Sequence, residues 1–314
     1  MLKYLLKRFL QSLVTLFIVV TVVFLLMRLM PIEGYLGPGF DKLDPAQQEA
    51  ILKGMGLLDP LHVQLKNFYR GLIKGDLGTS TIYRPKVPVL EIIRPKIPYS
   101  LWLGLASLGI SLFAGLSLGI LMARTKGKFW DKVGTLYIVF INAVPAAVYY
   151  LFIQLYGSKL PGLTILFKPN NPASWLLPVI SMSLGSTAGY AMWMRRYMVD
   201  ELNKDYIKLA RAKGMKNSDI MVKHVMRNAF VPMAQYLPAS ILFVIAGSLY
   251  IESLYSIPGM GGLLVHAIQR QDNPLVQALV LMYSSFSIFG LFMGDILMAI
   301  FDPRIKFGGK GESR

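Results

Sequence analysis

The chain has 314 residues, of which 54% are hydrophobic and only 16% charged, with a mean hydropathy of +0.50. A soluble domain carries roughly 25% charged residues, so this chain lacks the charge to cover a water-facing surface and reads as a membrane protein. The net charge of +16 fits basic cytoplasmic loops better than nucleic-acid binding, because no RNP, zinc or basic-zipper pattern accompanies it, and the lack of cysteine excludes disulfides and thiolate metal sites.

The first predicted element follows Lys3, Lys7 and Arg8 and runs from Phe9 to Leu29. It is longer than a signal-peptide core and ends at Arg28-Leu29-Met30-Pro31 without a small-x-small cleavage site, so it reads as an uncleaved span. Five further runs reach the length a span needs: Pro98–Ala123, Val133–Tyr156, Trp175–Met194, Val231–Leu254 and Leu275–Phe301. The fourth is the most polar, holding Ser181, Ser183, Ser186 and Thr187 and running into Arg195-Arg196. Long runs without period-2 alternation favour helices over a barrel. The expected fold class is therefore all-α, a polytopic membrane protein of about six transmembrane helices.

Well over half of the 33 basic residues fall before the first span, between spans two and three, in the loop 195–230, and after the last span. The opposite short loops hold only Lys159, Lys168 and Arg270. This asymmetry places both termini and the loop 195–230 in the cytoplasm. The expected organisation is 1–30, N-terminus and first span; 31–97, an extracytoplasmic loop with short helices; 98–301, a core of spans two to six that includes the cytoplasmic loop 195–230; and 302–314, a cytoplasmic tail.

In the external loop, Asp44-Pro45 and Asp59-Pro60 each open a helix-like stretch, and Gly75-Asp76-Leu77-Gly78 breaks the second. These stretches predict a small folded cap over the outer mouth. The second span is rich in small residues, with Gly115 and Gly119 forming a GxxxG pair that predicts close packing against another helix.

The cytoplasmic segment from Asp205 to Pro232 reads as a helix, a glycine break at Gly214 and a second helix that Ser218 can cap. Tyr206, Leu209, Ala210 and Lys213 share one face at helical spacing. A short basic helix of this kind suits docking into a partner's groove, and small Ala210 and Ala212 would let it sit deep there. A solvated basic loop near anionic headgroups is the other reading of composition alone.

The order Tyr206, Ala210-Arg211-Ala212-Lys213-Gly214, His224, Arg227-Asn228-Ala229, Pro232 resembles the cytoplasmic signature of binding-protein-dependent ABC importer permeases. Its spacing looks like the B-type subunit of oligopeptide and dipeptide systems. Gly56-Leu57-Leu58-Asp59-Pro60, Gly75-Asp76-Leu77-Gly78, Glu252, Pro258-Gly259-Met260-Gly261 and Asp302-Pro303-Arg304 extend the resemblance along nearly the whole chain. The sequence departs from that pattern at Ile32-Glu33-Gly34, Gln271 and Leu291. The resemblance implies an ATP-driven importer of oligopeptides or dipeptides in a bacterial or archaeal inner or plasma membrane. It further implies a second related permease, two ATP-binding subunits and an extracytoplasmic peptide-binding protein as partners. The coupling residues it implies are Tyr206, Leu209, Ala210, Arg211, Ala212, Lys213, Gly214, His224, Arg227 and Asn228. Related permeases carry nickel complexes or glutathione, which stand as alternative substrates.

No G-x-x-x-x-G-K-[ST] phosphate loop occurs, and His62, His224 and His266 lack metal-ligand spacing. The chain itself is expected to be neither an enzyme nor a cofactor carrier, with ATP hydrolysis in separate subunits. An ion-coupled secondary transporter would need inverted repeats, and none is visible. Asn142, Gln235, Tyr236, Ser240 and Ser248 are candidates for a polar translocation path or, equally, for helix-to-helix hydrogen bonds. Glu252 is a candidate for the path or for capping the Pro258-Gly259 turn. Asp295, inside the last span, is either a path residue or a structural carboxylate.

Overall fold

The computed structural model describes residues 2–30, 35, 42–233, 240 and 249–301. The helices are α1 (Leu2–Arg28), α2 (Pro45–Gly54), α3 (Leu61–Ile73), α4 (Val89–Ile93), α5 (Ile97–Arg124), α6 (Phe129–Ala143), α7 (Ala146–Gly157), α8 (Leu176–Leu202), α9 (Asp205–Ala212), α10 (217–233), α11 (Leu249–Leu254), α12 (Met260–Gln269) and α13 (Asn273–Phe301). Among the described residues no strand forms; Thr79 and Pro88 make an isolated antiparallel bridge.

Among the described residues, three stretches are long and apolar enough to cross a membrane alone: Leu6–Arg28, Val89–Arg124 and Asn273–Ile296. The expected third span, Val133–Tyr156, is corrected: it is α6 and α7, bent by 105°. Proline explains the break. Val144 is held extended (φ −89°, ψ 129°) before Pro145, which disfavours helix in its predecessor and has no N–H to donate. The fourth segment forms α8, whose 27 residues span about 40 Å, more than the roughly 30 Å hydrocarbon core. Ser181 and Ser183 are tolerated because they lie on its protein-facing side, where Thr187, Ala188 and Ala191 are also buried, whereas Ser186 is exposed. Most of the expected fifth span, Val231–Leu254, lies outside the described residues.

The α5–α8 pair forms the centre. Ser107, Ser111, Gly115 and Gly119 recur every four residues on one face of α5, and all are buried. The Ser107 hydroxyl donates to the Leu103 carbonyl at 2.7 Å, and the Ser111 hydroxyl to the Ser107 carbonyl at 2.6 Å and across to Ser183 at 3.1 Å. At Gly119 an added Cβ would lie 2.7 Å from the Ala191 carbonyl oxygen, and at Gly115 2.8 Å from that of Thr187. The two backbones therefore touch, as the GxxxG pair predicts.

In the loop that follows α1, α2 and α3 form the expected short helices. Asp44 stands before Pro45 at the start of α2, although its side chain makes no cap bond. The amphipathic α3 lies against the outer half of α1: Tyr69 stacks on Phe17 at 5.2 Å and Phe68 meets Phe24 at 5.0 Å. At the other end of α1, Phe9 meets Phe292 of α13 at 5.7 Å.

One element was missed from the sequence: α12, a buried ten-residue helix between the last two expected spans. Its Met260, Leu263, Leu264 and Ala267 pack with Val89, Ile92, Ile93 and Leu275. The i, i+3, i+4, i+7 spacing was available as a signal.

Asp272 binds this outer layer together. Its fully buried carboxylate accepts from the Ser80 hydroxyl at 2.5 Å, the Tyr83 N–H at 2.8 Å, the Ile82 N–H at 3.0 Å and the Leu275 N–H at 3.2 Å. The external loop is thereby fastened to the first turn of α13, where an anion is favoured by the helix dipole.

The α5–α8 contact generates a prediction. Gly119→Leu should push the helices apart and cost about 1–3 kcal/mol, lowering the thermal midpoint of the protein in detergent. Gly109→Leu is the control on the same helix, because an added Cβ there meets nothing within 4 Å. Equal midpoints for the two variants would refute backbone contact at Gly119.

Candidate functional site

The segment 205–233 folds onto the C-terminal end of α8. Lys204 is extended (φ −72°, ψ 148°), and α9 starts at Asp205, an acid suited to a helix N-terminus. Three residues apart, Ile207 and Ala210 point inward and pack with Met194 and Met198 of α8 and Ile220, Val225 and Ala229 of α10. Ala210 is only 8% exposed, which corrects its expected place at the partner-facing surface. Its small size serves the contact between α9 and its own chain.

The helix ends as the glycine predicts. Gly214 has φ +76°; its N–H bonds to the Arg211 carbonyl at 3.0 Å, and the Met215 N–H to the Ala210 carbonyl at 3.2 Å. This is a Schellman pair, and Met215 packs into the same apolar cluster as Ala210. The next helix starts at Asn217 after Lys216, so Ser218 sits inside its first turn and does not cap it, against expectation. Residues Ile220–Met226, including the half-buried His224, are wound as a π-helix, a geometry that clusters at functional sites.

Tyr206 and Asn228, 22 positions apart, meet: the Asn228 amide donates to the Tyr206 hydroxyl at 2.8 Å, and that hydroxyl donates to Glu201 at the end of α8. Burial, reinforced by the Glu201 carboxylate, pushes the Tyr206 hydroxyl above its ordinary pKa, so it stays protonated and can donate. Glu201 was not found by sequence reasoning, because nothing in spacing marks it. The outward face carries Tyr206, Leu209, Arg211, Ala212, Lys213, Arg227 and Asn228, all exposed. Leu209 is 56% exposed among basic neighbours, and Asp205 pairs with Lys208 at 2.8 Å on the same surface.

A second feature was also missed. Arg195, at the inner end of α8, makes a bidentate pair with Asp131 at the start of α6, at 2.6 and 2.9 Å. Asp131 is 4% exposed and also accepts from the Gly127 N–H at 2.8 Å. The forked geometry fixes orientation as well as charge, so the α5–α6 turn moves with α8.

Among the described residues, the path candidates Asn142, Ser240, Glu252 and Asp295 each make a separate contact. Glu252 is fully buried and accepts from the Gly261 N–H at 2.7 Å and the Gly262 N–H at 3.1 Å, capping α12 from within. The Ser100 hydroxyl adds a bond from the Met260 N–H at 2.8 Å. Asp295 pairs with Arg8 of α1 at 3.4 Å and so joins two helices. Asn142 is exposed and donates back to the Ile138 carbonyl at 2.9 Å near the α6–α7 break. Ser240 accepts from the Tyr190 hydroxyl at 3.0 Å. Gln235, Tyr236 and Ser248 lie outside the described residues.

Known proteins agree with this architecture. Residues 115–307 match the family described as binding-protein-dependent transport system inner membrane component, and residues 1–101 match the N-terminal membrane component of such systems. A dipeptide transport system permease, DppB of Lactococcus lactis, is 33% identical over 306 residues, covering 98% of this chain and 100% of that one. The oligopeptide permease OppB of Haemophilus influenzae is 32% identical over 317 residues, and the glutathione permease GsiC of Pectobacterium atrosepticum 32% over 308, each covering 98% of this chain and 100% of the relative. Among solved structures, an amino acid ABC transporter superposes with a TM-score of 0.52 at 18% identity, covering 68% of this chain and 94% of that chain. The inward-facing methionine ABC transporter gives 0.53 at 13%, covering 68% and 97%. These likenesses support the fold, and the identities over whole chains support the family. The chain belongs to the binding-protein-dependent transport system inner membrane component family and is a membrane-embedded, non-catalytic permease component of an ABC importer.

Proposed function

We propose that this permease forms one half of a translocation path for oligopeptides or dipeptides, with a second related permease as the other half. An extracytoplasmic binding protein delivers the peptide, and two ATP-binding subunits dock at the loop 205–230. The observation that carries this reading is the two-sided coupling helix. Its inner face is fused to α8 through Ile207 and Ala210, while Leu209, Arg211, Ala212 and Lys213 stand free of the chain's own core. An amphipathic helix held in this way suits insertion into a groove of a partner. The peptide substrate is supported by relatives named as dipeptide and oligopeptide permeases over their full length. Glutathione, for which other equally similar relatives are named, is itself a tripeptide and belongs to the same chemical class.

In this reading both termini and the loop 195–230 are cytoplasmic, the chain crosses the inner membrane about six times, and 98–301 is the core. Movement of the ATP-binding subunits reaches the path through α9. The packing of Ile207 and Ala210 on Met194 and Met198 and the Tyr206–Glu201 bond bind that helix to α8, and the Asp131–Arg195 pair extends the rigid unit to α6.

Topology can be measured by single-cysteine labelling in intact cells, which the cysteine-free background permits. Lys159→Cys should react with an impermeant maleimide from outside, and Ser218→Cys should react only after the membrane is opened. Outside labelling of Ser218→Cys would reverse the orientation.

Coupling is tested in proteoliposomes holding both permeases and the ATP-binding subunits. Leu209→Asp and Ala212→Trp should leave the chain folded. They should lower peptide uptake at least 10-fold and make ATP hydrolysis insensitive to the loaded binding protein. Ala210→Trp should instead lower the thermal midpoint, since an overpacked core site costs about 1–3 kcal/mol. Full uptake with Leu209→Asp and Ala212→Trp would show that α9 is not the transmission element.

A further inference from the structure

The outer end of α1 borders an open cavity of about 330 Å³ lined by α1, α3, the loop 76–81 and the first turns of α13. Two side chains at this cavity carry three buried donor atoms with no acceptor among the described residues. Arg28, the last residue of α1, has Nε and Nη1 buried and unbonded. The Nε2 of Gln277, on α13, is likewise buried and unbonded, and that side chain is 8% exposed. The guanidinium is packed between the rings of Phe24 at 4.9 Å and Tyr35 at 5.0 Å and shares a hydrogen bond with the Tyr35 hydroxyl, which leaves Nε and Nη1 without acceptors. Buried donors on a charged group are among the most costly to leave unbonded. A guanidinium fork beside a carboxamide donor matches the oxygens of a phosphate.

The third polar group is opposite in sign. Asp76 lines the same cavity and is exposed; its Oδ1 accepts from the Gly78 N–H at 2.8 Å, and among the described residues it forms no ion pair with Arg28. A cavity with phosphate donors on one wall and a carboxylate on another suits a zwitterion. Its position favours a lipid over a free metabolite. Arg28 closes a membrane-length helix, Leu25, Leu26 and Leu29 are exposed beside it, and the amphipathic α3 lies alongside. Phe68, Leu77 and Leu281 give the cavity apolar walls for the glycerol region.

We propose that this cavity binds the headgroup of an outer-leaflet aminophospholipid, with its phosphodiester on Arg28 and Gln277 and its ammonium on Asp76. The choice of leaflet rests on the orientation proposed above; the binding itself does not. A lipid held here would join α1, α3 and α13 at the level of the headgroups, on the flank of the bundle away from the α5–α8 centre.

The test uses the full chain purified in detergent and titrated with dioctanoyl phosphatidylethanolamine, dioctanoyl phosphatidylglycerol, dioctanoylglycerol and the acyl-free glycerophosphoethanolamine, with retained ligand read by native mass spectrometry. Phosphatidylethanolamine should bind most tightly, phosphatidylglycerol several-fold more weakly, and the two remaining compounds at least roughly 10-fold more weakly. Arg28→Gln and Gln277→Leu should each weaken phosphatidylethanolamine roughly 10-fold, and Asp76→Asn should abolish its advantage over phosphatidylglycerol. If Arg28→Gln fails to fold, Arg28→Lys, which keeps the charge and loses the fork, should still weaken binding measurably while keeping the wild-type thermal midpoint. Unchanged binding in the folded Arg28 and Gln277 variants would overturn the site. Equal retention of dioctanoylglycerol would reduce it to a greasy surface, and equal affinity for glycerophosphoethanolamine would make it a soluble phosphate site; either result overturns the lipid assignment. Because none of these readouts depends on sidedness, an error in topology would show only in the cysteine labelling.

Discussion

Two membrane helices touch backbone to backbone along Ser107, Ser111, Gly115 and Gly119, and the rest of the chain is arranged around that contact. Inside a bilayer there is no hydrophobic drive for helices to associate, so close approach and short hydrogen bonds must supply the attraction. Every fourth residue of α5 is small for that reason. The contact fixes α8 as the axis of the molecule. Toward its N-terminal end Ser181 bonds to the buried Tyr255 at 2.9 Å, and toward its C-terminal end Met194 and Met198 form the floor on which α9 lies.

Buried carboxylates then fasten the peripheral parts to this axis. The chain has only 17 acidic residues, yet three sit in its interior with several donors each. Asp272 holds the external loop to α13, Glu252 caps α12, and Asp131 grips Arg195. Removing an ion from water costs several kcal/mol, so each such group must collect backbone N–H donors or a forked guanidinium to be tolerated. These are places where the chain has committed to one geometry: a slip by one residue would leave a buried charge without partners.

The helix α9 shows how one short element presents two different faces. Its eight residues give an inner face of Ile207 and Ala210 and an outer face of Tyr206, Leu209 and Ala212. The inner face makes α9 part of the α8–α10 unit, and the left-handed Gly214 lets the chain reverse without a Cβ penalty. A push on the outer face is therefore a push on α8. Through Asp131 it is also a push on α6, whose continuation is broken by 105° at Pro145.

The sequence by itself determined the membrane environment, the helical class, the small-residue face of α5, the glycine stop at 214 and the family. All of these are written in local composition or in fixed short spacings, which a single chain displays without being folded. Tertiary structure decided what depends on meetings across the chain. It turned Ala210 inward although its face partners Tyr206 and Leu209 stay exposed, because α8 and α10 offer apolar surface on one side only. It joined Tyr206 to Asn228 and Glu201, Asp131 to Arg195, Arg8 to Asp295 and Asp272 to Ser80, pairs with no signature in spacing. It made α12 a buried helix where loop length suggested a turn, and it bent the third span at a proline that hydropathy does not register. Hydropathy averages over a window and so finds spans. A carboxylate's partner or a helix's inward face is fixed by which distant surfaces close over it, and those surfaces exist only once the chain has packed.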